Sequence, residues 1–455
     1  MGVHQLLLTL VLESTQEGLE MIKKIDFGKT SFNDLHQVFK YATQEEFEAK
    51  RSRLFPNGNS DNEVATTSIF LSSLCAVKEY REELLSEIGV KKIKNQNVNL
   101  HAYTEIENTT AEERPDGLLV VTSGKLNPII EWACFVEAKV GSNSLKESQI
   151  DRYATFAREI GVNNIITISN ELVTCPIDSP IKLKKRSFNL YHWSWTFLKV
   201  SALRLLRADA LEDSDHIFIL QELRKFIDGH NKLGNYVNMG KEWKDSVTKV
   251  HSHSIEQKID SEVLSHIVDS YVQEEKDVSL QLTAKSGMHI ELITKGDRKE
   301  EVAKMLQSKK AITSQFMLDK DKYNTFFIDV DFIRQEIRCY TNISISTGKA
   351  QAQTTRLIKM FEGESGYTDD ILVNAFYIRN RSNRSDVSLA TLLEEKSQLA
   401  PYSIVDKSLG DEVKFFEVKT KDLLGRDFKS TKNFIVKLED IANRFLTQVV
   451  VYQNK

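Results

Sequence analysis

Residues 114–153 read RPDGLLVVTSGKLNPIIEWACFVEAKVGSNSLKESQIDRY. The run Arg114–Val121 alternates so that Asp116, Leu118 and Val120 share a face. The run Glu131–Val140 is rich in apolar and β-branched residues, as strands are. Thr122–Pro128, between them, is turn chemistry. Folding the two runs antiparallel about that turn sets Glu137 opposite, or nearly opposite, Asp116, with directly opposed Cβ atoms about 4.5–5.5 Å apart. Glu137 and Lys139 are two apart and leave the same face. In the helical-looking segment that follows, Gln149 and Tyr153 lie at i and i+4 on one face. Two carboxylates this close repel each other unless a cation separates them. Such an oxygen-rich set suits Mg²⁺ or Mn²⁺, with water and a substrate phosphate filling the other positions. A solvated Glu–Lys surface pair is the plainer reading of Glu137/Lys139, but it explains poorly why Glu137 ends the apolar run Trp132–Val136.

Residue by residue the stretch resembles the PD-(D/E)xK nuclease superfamily. Pro115-Asp116 matches its first signature, Glu137-Ala138-Lys139 its second, and Gln149-Ile150-Asp151-Arg152-Tyr153 the QxxxY element of several branches. The resemblance implies a restriction-endonuclease-like αβ sandwich. In it Asp116 and Glu137 bind a metal with the Ala138 carbonyl, and Lys139 orients or deprotonates the attacking water and stabilises developing charge. Gln149 and Tyr153 would position the lysine or a substrate phosphate. The family usually adds an acid from a preceding helix. In Asn62–Gly89, read as one helix with Phe70, Leu74, Val77 and Leu85 in a stripe, Glu63 falls on that stripe and is the candidate fourth metal ligand. Ser60, Asp61 or Asn62 is its N-cap. Helix-dipole preference alone also accounts for a first-turn glutamate, and Glu105 in the strand-like His101–Asn108 competes for the role.

The order of elements over residues 62–207 reads helix, three strands, helix, strand (163–169), strand (Ser187–Trp193) and helix (Trp195–Arg207). The expected organisation is a mixed α/β chain: an N-terminal helical extension (1–60) ending at the turn Pro56–Asn59, a nuclease core (61–207), a helical connector (208–275) and a separate C-terminal α+β domain (276–455). In the connector Asp213 to Asp215 caps Ile217–Asp228, and Gly229–Ser254 reads as a polar linker. Beyond it, Val278–Leu282, His289–Ile293, Tyr323–Phe332, Glu336–Ser346, Ile371–Arg379 and Val413–Lys419 read as strands, with helices near 299–308, 350–362 and 431–446.

At 455 residues the chain has room for two or three domains. A net charge of −4 gives no global pull on nucleic acid, so any such contact needs local basic patches. The candidates are Lys184, Lys185 and Arg186, before the last core strand, and Arg379 and Arg381, in a C-terminal loop. Solvated loops are an equally good reading of both. Cys75, Cys134, Cys175 and Cys339 are scattered without metal spacing, as reduced core cysteines of a cytoplasmic protein are. The apolar run His4–Leu12 lacks a basic flank and is too short to span a membrane; it reads as the start of a buried helix.

Three further patterns are weaker. Glu417-Val418-Lys419 repeats the ExK spacing, with Asp406 or Asp411 as a possible partner, but lacks the PD and QxxxY parts and reads as an ordinary strand. Ser346-Thr347-Gly348-Lys349 lacks the upstream glycine of a phosphate loop, because Ile343 stands there. His251 and His253 lack further ligands at zinc spacing. The expected activity is a divalent-metal-dependent nuclease acting on DNA or RNA, with DNA the leading substrate. By analogy with chains that join such a core to a second domain, it is a prokaryotic antiviral-defence or restriction-type effector, gated or tethered through its C-terminal domain or assembled as a homo-oligomer. The alternative is a catalytically silent nuclease-like module that binds nucleic acid or a protein.

Overall fold

In a computed structural model of the protein, β1 (Val98–Thr104), β2 (Gly117–Ser123) and β3 (Ile129–Ala138) form an antiparallel meander. The described residues are 27–51, 62–106, 114–141, 143–181, 188–208, 210–230, 232–233, 236–319, 321–362, 369–378, 381–383, 385–398 and 400–453. The chain is mixed α/β with two sheets among these residues and divides into two compact units.

The first unit takes the described residues of Met1–Asn170, Pro176–Trp193 and Asp213–Lys232. Its sheet has the order β1-β2-β3-β4-β5, with β4 Asn164–Ser169 and β5 Asn189–Ser194. β4 pairs parallel to β3, as the intervening helix requires of a crossover. The expected single helix over 62–89 is two, α1 (Glu63–Ala76) and α2 (Lys78–Glu87), broken where Val77 takes an extended backbone. Asn62 caps α1 by accepting from the Ala65 N–H at 2.6 Å. Five of its residues from Thr66 to Ser73 are threonine or serine, and all five are buried. Thr66, Thr67 and Ser73 satisfy their hydroxyls on the carbonyl four residues back.

The crossover helix α3 (Glu147–Ile160) buries Ile150, Tyr153, Ala154, Ala157 and Ile160, a stripe at helical period, and stops at Gly161 in the left-handed region. That stripe shares one core with Leu118, Val120, Ala133 and Phe135. The period of two along β3 therefore puts Glu137 on the sheet face that α3 covers. At Gly117 a Cβ atom would stand 2.7 Å from Leu71 of α1 and 3.2 Å from Val136. A side chain at this position would have to displace the Leu71 methyl and crowd Val136, so glycine eases the approach of α1 to the strand beside Asp116.

The second unit takes Glu171–Cys175, Ser194–Glu212 and the described residues of Leu233–Lys455. Helix α4 (Trp195–Arg207) has the expected span but groups here rather than with the first sheet. The expected connector is divided too. Helix α5 (Ser214–Gly229), capped by Asp213, belongs to the first unit. The expected linker Gly229–Ser254 instead contains helix α6 (Trp243–His251), in which Trp243, Val247 and Val250, at i, i+4 and i+7, are fully buried.

The predicted strand Val278–Leu282 lies inside the long helix α7 (Ser261–Ser286). It is buried on several sides, and a helix without a wet face shows no clean period to separate it from a strand. The second sheet orders β11-β10-β13-β9-β8-β7-β6, with β12 beside β10. Its strands are β6 Ile290–Ile293, β7 Ala311–Leu318, β8 Asp321–Asp331, β9 Glu336–Ile343, β10 Leu372–Tyr377, β11 Arg381–Ser382, β12 Val387–Ser388 and β13 Val413–Leu423. Its inner face shares one core with α7, α8 (Arg298–Lys309), α9 (Ala350–Met360), α10 (Leu389–Glu395) and α11 (Asn433–Gln448). β7 and α10 had no counterpart in the sequence reading.

Candidate active site

The β2–β3 register pairs Gly117 with Val136, so one step further Asp116 faces Glu137 across the ladder. The Ala138 N–H donates to Asp116 Oδ2 at 2.8 Å and locks that carboxylate against the end of β3. The Lys139 N–H pairs with the Ile168 carbonyl of β4 at 2.7 Å. Glu63, in the first turn of α1, closes the group: its Oε2 accepts from the Val140 N–H at 3.2 Å. Lys139 Nζ stands 2.5 Å from Glu137 Oε1, 2.9 Å from Glu63 Oε1 and 3.9 Å from Asp116 Oδ2. Glu105, the competing acid, pairs with Arg114 instead.

One ammonium among three carboxylates leaves surplus negative charge in a half-closed site. The Glu137 side chain is 1% exposed, and neither of its oxygens receives a well-directed hydrogen bond despite the nearby lysine. Burial, and then the Glu137 charge, hold Asp116 well above the ordinary carboxylate range against the pull of Lys139 and the Ala138 N–H. Burial likewise raises Glu137, although Lys139 opposes it. For Lys139 burial disfavours the charge, but Glu137, Asp116 and Glu63 outweigh it and raise its pKa.

Gln149 and Tyr153 meet as helical spacing requires: Gln149 Nε2 donates to the Tyr153 hydroxyl at 2.9 Å. That hydroxyl donates to the Arg114 carbonyl at 3.1 Å, which ties α3 to the segment carrying Asp116. Burial, then the Glu137 charge, raise the Tyr153 pKa and keep its proton available for that bond. The backbone donors Ala138 and Val140 and the close approach at Gly117 were not anticipated. Only the small residue after Asp116 hinted at them.

The donor set is all oxygen: Asp116, Glu137, Glu63 and the Ala138 carbonyl. Asp116, Glu63 and the Ala138 carbonyl each already accept a hydrogen bond, and the Glu137 oxygens are the buried ones without a well-directed donor; all-oxygen chemistry of this kind suits a hard divalent cation. Among the described residues no group of three or more His, Cys, Asp or Glu side chains is arranged to hold a metal ion.

Lys184, Lys185, Arg186 and Arg379, with the 1–26 segment and the 56–59 turn, lie outside the described residues. The backbone of Arg381 lies on β11. The Ser346–Lys349 segment precedes α9, but Arg356 Nη1 donates to the Ser346 carbonyl at 2.8 Å and the Thr347 carbonyl at 3.2 Å. It thus presents carbonyls to a cation rather than N–H groups to a phosphate. His251 meets the Ile333 carbonyl at 2.9 Å, a structural bond. None of the four cysteines is in a disulfide. No helix among the described residues is long and apolar enough to cross a membrane. No family model matches this chain, no curated protein matches it, and no solved structure does.

Proposed function

We propose that this chain is a divalent-cation-dependent nuclease that hydrolyses phosphodiester bonds, with DNA as its substrate. The observation that carries the reading is the convergence of Glu63, Asp116 and Glu137 on Lys139, with Glu137 buried and short of donors. Asp116, Glu137 and the Ala138 carbonyl would hold Mg²⁺ or Mn²⁺, with Glu63 beside them. The bound ion supplies Lewis-acid polarisation of the phosphate and a more acidic water. Lys139 holds the attacking water and meets the charge that develops on the phosphate oxygens. Tyr153, through the Arg114 carbonyl, fixes the strand that carries Asp116.

The finer fold reading, a restriction-endonuclease-like sandwich, draws support from the parallel crossover β3–α3–β4 beside an antiparallel meander. On this proposal the protein is a cytoplasmic effector of the antiviral-defence or restriction type, gated through its second unit.

The test is incubation of supercoiled plasmid with the purified chain and Mg²⁺, Mn²⁺ or EDTA. Nicking that EDTA suppresses and that Asp116→Ala abolishes is expected. Cation-dependent nicking that survives Asp116→Ala overturns the site. A gel shift without cleavage under every cation favours a silent binding module.

A further inference from the structure

Consecutive residues of α7 receive opposite treatment. Glu275 is 1% exposed and fully answered: Arg298 donates to its two oxygens at 2.8 and 2.7 Å, and the Ser314 hydroxyl donates at 2.7 Å. Glu274 is 0% exposed, yet no hydrogen-bond donor among the described residues reaches either of its oxygens.

Helix α7 packs against α4 and α11. The groups that act on Glu274 are two more acids, Asp277 one turn along α7 and Glu439 from α11. Tyr236, from the segment before α6, stands near them and spends its hydroxyl proton on the Ser270 carbonyl at 3.0 Å. The cations of the neighbourhood serve other members. Lys285 lies 3.5 Å from Glu439, and Lys199 of α4 and Lys285 act on Asp277, which Gln281 also contacts. Glu274 and Asp277 are buried beside the partly buried Glu439, and the most deeply buried of the three has no donor.

An ionised carboxylate in such a place carries a large desolvation cost, whereas a protonated one does not. We propose that Glu274, Asp277 and Glu439 form a proton-retaining cluster that holds the helical layer of the second unit closed when protonated and loosens it at alkaline pH. Burial, then Asp277 and Glu439, push Glu274 far above the carboxylate range. Burial and then Glu439 push Asp277 up to about 7. Burial also raises Glu439, against Lys285. Carboxyls that bind protons more tightly folded than unfolded stabilise the fold below their unfolded pKa of about 4. That stability is lost as pH rises through the folded values, hence from mildly acidic pH to beyond about 7.

The test uses the full chain. Infrared difference spectra of wild type minus Glu274→Gln at neutral pH should contain a protonated-carboxyl stretch that belongs to Glu274. Amide-exchange protection factors over residues 270–280 should fall several-fold from about pH 6 to about pH 9 in wild type and fall clearly less in Glu274→Gln. Asp277→Asn should reduce the fall, and it serves if Glu274→Gln does not fold. Wild-type protection that is flat over this range, or no protonated-carboxyl stretch at neutral pH, overturns the proposal.

Discussion

At Glu137-Ala138-Lys139 three carboxylates crowd one ammonium, whereas at Glu417-Val418-Lys419 opposite charges alternate across the sheet. Around the second pattern Asp329 pairs with Arg338 at 2.8 Å, and Arg338 approaches Glu417 at 3.9 Å. Lys419 then bridges Glu417 at 3.0 Å and Asp386 at 2.9 Å. The neutral donors Thr313 and Asn374 complete Asp329 and Asp386. Burial pushes Asp386 up, but the bonds from Asn374 and Lys419 prevail and leave it below its ordinary value. Asp116 moves the other way. Two copies of one tripeptide pattern thus differ in whether the charges are answered. A carboxylate left raised and short of donors marks a place for a ligand or a proton, and an alternating ladder marks a sheet face that is already complete.

The largest expected effect separates the two patterns by activity. Glu137→Gln and Lys139→Ala should each lower cation-dependent plasmid cleavage on the order of 10²–10³-fold or more. Glu417→Gln and Lys419→Ala should leave it within about twofold, which initial nicking rates will measure. Equal losses at both places would erase the distinction.

A second way to sharpen it lies in what the first site demands of the backbone. Gly117→Val puts side-chain atoms where Leu71 and Val136 already stand. Overpacking of that kind costs about 1–3 kcal/mol. Moving α1 away would also withdraw Glu63 from Lys139, so cleavage should fall alongside the urea midpoint. A loss of stability with full cleavage would remove Glu63 from the site.

The hairpin was legible because its strands alternate and its ionisable residues interrupt apolar runs at a spacing of two. Glu63 was legible only as a position on a wheel, since its approach to Lys139 depends on the α1 contact at Gly117, which lies in tertiary packing. The break at Val77 carries no Pro or Gly, and Val77 is completely buried, so packing rather than local chemistry sets it. β7 escaped notice because one of its buried positions is Ser314, whose partners Glu275 and Arg298 come from two distant helices. For the same reason the decoy Glu417/Lys419 could be recognised as incomplete, while its true neighbours Asp386 and Arg338 could not be named.

Cation binding offers a third discriminator. If a divalent ion binds the first site and not the unfolded chain, ten times its Kd adds about 1.4 kcal/mol to the stability of the first unit. Titrating Mg²⁺ or Mn²⁺ while following thermal unfolding should raise the midpoint of wild type and of Glu417→Gln alike, and leave Glu137→Gln unmoved. A shift that persists in Glu137→Gln would place the ion elsewhere.

The smallest effect is also the most pointed, because the two patterns should respond with opposite sign. In EDTA, Glu137→Gln removes a buried charge that lacks well-directed donors and relieves Asp116, so the first unit should gain about 1 kcal/mol. Lys419→Met removes the one cation that answers both Glu417 and Asp386, so the second unit should lose about 1 kcal/mol. Both side chains are mostly buried, Lys419 at 13% exposure and Glu137 at 1%, so solvent screening does not account for a difference in sign. Urea denaturation of the two variants against wild type measures both. A destabilised Glu137→Gln would mean that the Lys139 contact already compensates the glutamate, and the first pattern would then be a structural ion pair like the second.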